Sequence, residues 1–126
     1  ALNRLGVEPV LTDDAEELRR AERVIFPGVG EASSAMRYLR ERGLDRVVRS
    51  LTQPVLGVCL GMQLLCEYSE ENSTECLGIL PRRVRRFDGT HLKIPQMGWN
   101  NIFGLRSELF SGVDENAYVY FVHGYY

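Results

Sequence analysis

The sequence lacks the features that would take it out of the ordinary globular class. Its apolar runs stay short of the roughly 18 residues that a membrane span needs. It shows no signal-peptide pattern, internal repeat or low-complexity run. Fifteen Lys and Arg against seventeen Asp and Glu leave a net charge of −2, so there is no bulk electrostatic reason to bind nucleic acid or an acidic membrane.

Cysteine and histidine are also scarce. Three cysteines at irregular spacing do not make a disulfide framework and fit a reducing compartment, so we predict a cytoplasmic protein. Cys66 and Cys76 have no glycine neighbours and are interpreted as small core hydrophobes. His91 and His123 are too far apart in sequence to give metal-ligand spacing with these thiols, so we expect no metal site and no cofactor.

The 126 residues, 44% of them apolar and 25% charged, suffice for one compact domain. Both ends look cut, because residues 1–6 are typical of the last turn of a helix and the chain stops on Tyr125 and Tyr126 inside a strand-like segment. We therefore predict a single domain, residues 1–126, that is incomplete at both ends.

Strands and helices alternate along the first half of the chain. Apolar runs predict strands at residues 7–12, 24–26 and 55–58. Apolar residues three and four apart predict helices at residues 32–42 and 44–51, and an earlier helix at residues 14–20 has Thr12 or Asp13 as its N-cap. Such alternation predicts an α/β fold with an open, mostly parallel, flavodoxin-like sheet and helices on both faces.

From about residue 75 the pattern changes to short strand-like pieces. They lie at residues 76–80, 84–87, 92–94 and 117–123, separated by prolines and by an Asp-Gly pair. They predict additional antiparallel or mixed strands. The basic cluster Arg82, Arg83, Arg85 and Arg86 is interpreted either as a solvated face or as a docking or anionic-ligand surface.

The strongest chemical signal is the sequence G-V-C-L-G at residues 57–61. It lies between the predicted strand at residues 55–58 and a helix that begins near Leu60, which is typical of a nucleophile elbow, a sharp turn with glycine on both sides. The elbow would hold the thiol of Cys59 at the carboxyl edge of the sheet, where open α/β sheets bind ligands. The alternative is a small apolar cysteine on a buried strand.

An acyl-transfer nucleophile needs N–H donors directed at the oxygen that becomes negative. The N–H of Leu60, directly after the nucleophile, is one candidate. The P-G-V-G loop at residues 27–30 follows the neighbouring predicted strand and supplies a second. An ordinary loop leading into a helix also explains its glycines.

These motifs resemble those of the class I, or triad, glutamine amidotransferases, which use a Cys-His-Glu triad to hydrolyse glutamine and release ammonia. The resemblance covers nearly the whole chain and rests on residues 27–30, 57–71, 95–100 and 122–125. Residues 27–30 and the P-Q-M-G-W-N segment at residues 95–100 favour one branch, the glutaminase subunits of imidazole glycerol phosphate synthase. On this resemblance glutamine is the substrate. The partner is the cyclase subunit that completes a heterodimer and makes imidazole glycerol phosphate in histidine biosynthesis.

The resemblance also implies roles in the reaction. Cys59 would attack the carboxamide carbon of glutamine. The backbone of Leu60, Val29 and Gly30 would form the oxyanion hole, with the peptide at Val29 rotating as a gate.

Other positions are implied to bind rather than react. The side chains of Gln63 and Glu71 and the backbone of Gly124 and Tyr125 would hold glutamine. The segment facing the cyclase comprises Pro95, Gln96, Met97, Gly98, Trp99 and Asn100. Without the family pattern, Trp99 and Met97 would be interpreted as core residues.

One departure from the family pattern matters. The catalytic His and Glu of the family lie in an H-P-E-like stretch beyond the position of Tyr126, and neither His91 nor His123 matches them. We therefore expect residues 1–126 alone to be inactive. Gln96 also stands where many relatives have His, which leaves the hydrogen bonding at the subunit interface open.

Two other functions remain open. One is the amidotransferase domain of a different glutamine-dependent synthase. The other is a non-catalytic cysteine-elbow protein that binds a partner or senses redox state.

Overall fold

The computed structural model describes residues 1–91 and 93–126, which form two compact units, Ala1–Val84 and Arg85–Tyr126. Leu92, in the predicted strand at residues 92–94, lies outside the described residues, and Lys93 and Ile94 are not in a strand. That all 126 residues belong to one domain stays a prediction.

The first unit begins with a 3₁₀ helix, Leu2–Leu5, closed by Gly6 in the left-handed region at φ 73°. Its α-helices are α1 (Ala15–Arg20), α2 (Ala32–Glu41), α3 (Leu44–Ser50) and α4 (Leu60–Leu64). Its strands are β1 (Val24–Gly28), β2 (Val55–Cys59), β3 (Cys66–Ser69), β4 (Thr74–Glu75) and β5 (Leu80–Val84). None of the helices in the described part of the chain is long and apolar enough to cross a membrane.

The strand pairing confirms the predicted α/β class. β1 and β2 are parallel, with a register that runs from Val24 opposite Val55 to Gly28 opposite Cys59. β3 lies between β4, to which it is antiparallel, and β5, to which it is parallel. The parallel pair joined through helices is the α/β element, and the β3 sheet supplies the predicted mixed pairing.

The core of the first unit lies between the helices and the end of β2. The apolar stripe of α2 is buried as its spacing predicts, with Met36 fully enclosed. It packs with residues of α3, α4 and the segment after β4, namely Leu44, Val47, Val48, Leu60, Leu64, Cys76 and Leu77. Helix α4 therefore starts inside a packed core, which holds the turn before it in place.

Two predictions about the start of the chain are wrong. Residues 7–12 form no strand, and Leu11 is 99% exposed, because none of the described strands pairs with this segment. The N-cap of α1 is Asp14, whose carboxylate accepts hydrogen bonds from the N–H groups of Glu16 and Glu17, both at 2.9 Å. Several neighbouring side chains in this polar run can cap a helix, so the sequence does not decide between them, whereas the observed hydrogen bonds do.

The strands predicted around residue 80 are displaced. Residues 76–79 are not a strand, because their N–H groups bond to carbonyls at residues 64–67, the end of α4 and the start of β3. The pairing strands lie on either side, as β4 and β5. The strand predicted at residues 84–87 ends at Val84, and Arg86 forms only an isolated bridge to Tyr125.

The second unit is built on an antiparallel ribbon of β6 (Gln96–Asn101) and β7 (Tyr118–His123). The register runs from Gln96 opposite His123 to Asn101 opposite Tyr118, which confirms the strand predicted at residues 117–123. A 3₁₀ turn, Glu108–Phe110, lies in the connection between them. The ring of Phe87 stacks on that of Tyr126 at 4.9 Å.

Candidate active site

The turn at Cys59 has the geometry of a nucleophile elbow. β2 ends at Cys59 and α4 begins at Leu60, so no loop separates strand from helix. Cys59 has φ 54° and ψ −123°, a backbone conformation that a residue with a side chain rarely adopts. The side chain is exposed, not enclosed in the core. The packed core around α4 keeps the turn in this strained conformation, in which the thiol is exposed to solvent.

Three glycines allow the backbones around the elbow to meet. A Cβ atom on Gly61 would overlap the carbonyl oxygen of Phe26. A Cβ on Gly57 would lie 2.6 Å from the Cα atom of Met62, and one on Gly28 would lie 2.6 Å from the nitrogen of Gly61. The first turn of α4 therefore rests directly on β1 and β2, which explains why glycine stands on both sides of the cysteine.

The P-G-V-G loop lies beside the elbow. Gly28, its second residue, is the register partner of Cys59 at the end of the parallel pair. Val29 follows and is 92% exposed, and Gly30 has φ 93°, a conformation that favours glycine. Leu60 begins α4, and the N–H groups of a first helical turn have no carbonyl partner within their helix. Both predicted sources of oxyanion donors therefore flank the thiol.

Glu71 reaches the end of the same loop from a distant part of the sequence. One carboxylate oxygen of Glu71 accepts a hydrogen bond of 2.7 Å from the N–H of Ala32, the first residue of α2. A carboxylate at this position is favourable because the N-terminal end of a helix carries partial positive charge. Gln63 lies on α4, one turn after Leu60. The first unit thus carries the predicted nucleophile, the oxyanion residues and two of the predicted glutamine ligands.

The other two cysteines differ from Cys59 in their surroundings. Burial raises the pKa of the Cys76 thiol to about 11, and burial also raises the pKa of the Cys66 thiol. Cys76 is only 4% exposed, which confirms its interpretation as a core residue, whereas Cys66 is half-buried at the start of β3. Within residues 1–91 and 93–126, no three His, Cys, Asp or Glu side chains lie close enough to hold a metal ion.

Comparison with known proteins identifies the family. The model of the class-I glutamine amidotransferase family matches residues 3–126. The chain belongs to this family. The elbow at Cys59 and the neighbouring P-G-V-G loop are therefore those of an amidotransferase fold.

Several proteins that share one name are similar to the chain. It is 55% identical over 128 aligned residues, covering 100% of the chain, to the imidazole glycerol phosphate synthase subunit HisH of Bacteroides fragilis. It is 51% identical to the subunit named HisH 2 of Legionella pneumophila and 52% identical to HisH of Xanthomonas axonopodis, each over 99% of the chain. The chain spans 65% of the length of the Bacteroides relative and 64% of the other two.

The remaining predicted site residues lie in the second unit. Gly124 and Tyr125 follow β7, and their assignment to the glutamine pocket stays a prediction. His123 forms a hydrogen bond of 2.8 Å between its Nδ1 atom and the carbonyl oxygen of Tyr125. Pro95 precedes β6, and the other predicted interface residues lie on that strand.

The predicted interface segment is exposed. The Trp99 side chain is 66% exposed and meets the Tyr120 ring edge-on at 5.5 Å, so it does not fill a core. Met97 is also exposed. An open depression of about 320 Å³ on the ribbon is lined by Gln96, Asn100, Asn101, Phe103, Phe121 and His123.

The sequence did not predict the hydrogen bond that holds the end of the P-G-V-G loop. The side-chain amide of Asn72 donates a hydrogen bond of 2.7 Å to the carboxylate of Glu31, the residue that follows the loop. Glu31 and Asn72 are 41 positions apart, so no periodic pattern links them. The only local signal is an Asn in a polar turn, where left-handed backbone is common.

Proposed function

We propose that the protein is a glutaminase that hydrolyses glutamine to glutamate and ammonia, with Cys59 as its nucleophile. The observation that carries the proposal is the exposed, strained Cys59 at the end of β2 in a chain of the class-I amidotransferase family. An elbow of this kind places a nucleophile against the end of a helix and the edge of a sheet, where a carbonyl compound binds.

The reaction we propose proceeds through a thioester. The sulfur of Cys59 attacks the carboxamide carbon of glutamine, and the carbonyl oxygen becomes negative. The N–H of Leu60 and an N–H of the Val29–Gly30 pair donate to that oxygen. The carbon–nitrogen bond then breaks, and the nitrogen takes up the proton that the thiol gave up, so that ammonia leaves. Water cleaves the thioester to glutamate and restores the free thiol. The site of Cys59 supplies attack and charge stabilisation, and we assign neither His91 nor His123 as the base.

We further propose that glutamine is held by Gln63 and Glu71, with the backbone of Gly124 and Tyr125. The placement of Glu71 at the end of the P-G-V-G loop supports its part in this proposal, since a carboxylate there can accept from the ammonium group of an amino acid. Its second oxygen remains for that contact when the first binds Ala32.

We propose that the ammonia passes to a cyclase subunit that makes imidazole glycerol phosphate in histidine biosynthesis. The names of the similar proteins support this choice over another glutamine-dependent synthase. The exposed aromatic ribbon around Trp99 supports residues 95–100 as the surface for that partner.

The unpaired cysteines support a cytoplasmic location.

Labelling with a chloroketone analogue of glutamine tests the nucleophile. The full-length protein is treated with the analogue and its peptides are mapped by mass spectrometry. We expect the adduct on Cys59, with labelling slowed by glutamine but not by asparagine. Cys66→Ala is the matched control and should label normally, whereas Cys59→Ala should not label. An adduct on Cys66, or none on any cysteine, would favour the binding or redox module instead.

A second measurement separates the two amidotransferase assignments. The full-length protein is mixed with an imidazole glycerol phosphate cyclase subunit, and product formation from glutamine is compared with that from ammonium salts. We expect glutamine to support synthesis. Glutamine hydrolysis without cyclase binding or product would assign the protein to a different synthase.

A further inference from the structure

Side chains of the turn Glu71–Ser73 form hydrogen bonds to the chain on both sides of the junction between the P-G-V-G loop and α2. The Asn72 amide donates to one carboxylate oxygen of Glu31 at 2.7 Å, and the Ser33 hydroxyl donates to the other at 2.8 Å. The Glu71 carboxylate binds the N–H of the intervening residue. Three consecutive positions after the loop are therefore engaged by this turn or by each other.

We propose that Asn72 is a positioning residue for the P-G-V-G loop, acting through its hydrogen bond to Glu31. This inference rests on the proposed glutaminase function, in which the N–H groups of Val29 and Gly30 serve the oxyanion. Asn72 does not touch the substrate in this role. It fixes the far end of the segment whose peptide groups turn toward the reacting oxygen.

The loop has one anchor at each end. At its start, Gly28 pairs with Cys59 in the parallel ladder. At its end, the Asn72 amide holds the Glu31 side chain. Between these anchors lie only Val29 and Gly30, the two residues that carry the proposed donors. Fixing both ends confines backbone motion to this pair, which lowers the entropy cost of directing an N–H at the oxyanion.

The turn that carries Asn72 is itself firmly held. The Glu71 N–H donates to the hydroxyl of Ser69, which is fully buried, at 3.2 Å. The Thr74 hydroxyl donates to the Glu71 carbonyl oxygen at 2.7 Å. A side chain on so fixed a turn can hold a loop in one place, whereas the same amide on a mobile turn would move with it.

The backbone of the turn explains why asparagine stands there. Asn72 has φ 51° and ψ 31°, in the left-handed region that asparagine tolerates better than other residues with side chains. Aspartate also tolerates this region, but it would bring a carboxylate against the carboxylate of Glu31. The neutral amide is the group that can both adopt the turn and donate.

Kinetics of four full-length variants, assayed with glutamine and the cyclase subunit, test the inference. Asn72→Gly keeps the left-handed turn and removes the amide, and we expect kcat to fall about 5-fold with KM changed less than about 2-fold. Asn72→Asp should lower kcat by about 10-fold because of charge repulsion. Adding Glu31→Gln to Asn72→Asp reverses donor and acceptor, and we expect kcat to return to within about 2-fold of the wild type.

Asn116→Gly is the matched control. Asn116 is also exposed, also has a positive φ of 66°, and its side chain accepts a hydrogen bond of 3.0 Å from Asn101. Its replacement removes a similar bond from a similar backbone in the second unit. We expect wild-type kcat and KM from this variant.

Amide hydrogen exchange at residues 29–33 keeps the inference testable without activity. Asn72→Gly should speed exchange there, and the Glu31→Gln, Asn72→Asp pair should slow it again. Unchanged exchange in Asn72→Gly would overturn the inference, as would a KM that rises as much as kcat falls, or no rescue in the paired variant. A wild-type protein without glutaminase activity would overturn the proposed function, whereas exchange would still decide whether Asn72 anchors the loop.

Discussion

The two units of the chain are stabilised in different ways. Every buried apolar residue among those described lies in Ala1–Val84, where α2, α3 and α4 enclose a common core. The second unit, Arg85–Tyr126, carries four aromatic side chains on a two-stranded ribbon, and three of them, Trp99, Tyr118 and Tyr120, are exposed. A lone pair of strands is only marginally stable in water.

The difference fits the different tasks that we propose for the two units. A nucleophile in a strained conformation needs a rigid support, and only the first unit has the packing to provide it. A surface that receives another protein needs exposed aromatic side chains, and the ribbon has them. Four experiments can break or sharpen this division.

The largest expected effect is on catalysis in the first unit. Cys59→Ala should lower the glutaminase kcat about a million-fold, as loss of the nucleophile does in comparable hydrolases. Folding should be unaffected, because the side chain is exposed. Ammonia release by the full-length protein is the measurement. Cys66→Ala is the control. An equal loss of ammonia release in that variant would contradict the assignment of Cys59 as the nucleophile.

The next effect concerns the packing of backbones beneath the elbow. Gly61→Ala should lower the free energy of unfolding by about 3 kcal/mol, because the new Cβ overlaps the Phe26 carbonyl oxygen. Gly124→Ala in the second unit should cost less than about 1 kcal/mol. Its new Cβ would lie 3.4 Å from the Ile94 side chain. Urea unfolding followed by circular dichroism measures both. Equal losses would show that the two glycines are packed alike.

The third effect is on the proposed partner surface. Trp99→Ala should weaken cyclase binding by about 30-fold, the loss typical of a buried interface aromatic. Unfolding should change by less than about 1 kcal/mol, since the ring is exposed in the free chain. Titration calorimetry gives the affinity. Phe103→Ala removes another exposed aromatic of the same unit, outside residues 95–100, and similar weakening there would contradict a localised interface.

The smallest effect is the response of the first unit to alkaline pH. The buried Cys76 thiol has a pKa of about 11 against an ordinary 9.0, so the unfolded chain loses this proton first. Its contribution to stability is therefore complete below pH 9 and is lost as the pH rises from 9 to 11. Urea midpoints of the wild type and Cys76→Ala should converge over that interval. A constant difference between them would show that this thiol does not ionise on unfolding.

How far the sequence predicts this molecule depends on whether a feature is local. The elbow at Cys59 was predicted because glycine, cysteine and glycine are neighbours, and the burial of Met36 because helical spacing is periodic. The parallel pairing of β1 and β2 followed from their alternation with helices. The strand predicted at residues 7–12 does not form, because an apolar run becomes a strand only where another strand pairs with it.

Contacts between distant residues could not be predicted in the same way. The Asn72–Glu31 hydrogen bond and the capping of α2 by Glu71 join segments about forty positions apart. The identity of such partners depends on the completed packing and leaves no trace in neighbouring residues. The close approach of Gly61 to the Phe26 carbonyl also joins distant segments, although a glycine in the first turn of a helix hints at it.

The pairing of Gly28 with Cys59 is the final rung of the β1–β2 ladder. Terminal rungs open more readily than central ones. Here α4 begins at the next residue, inside the packed core, and holds the last rung closed. The reactive sulfur and the loop beside it therefore depend on the same support, and loosening that core should disable both at once.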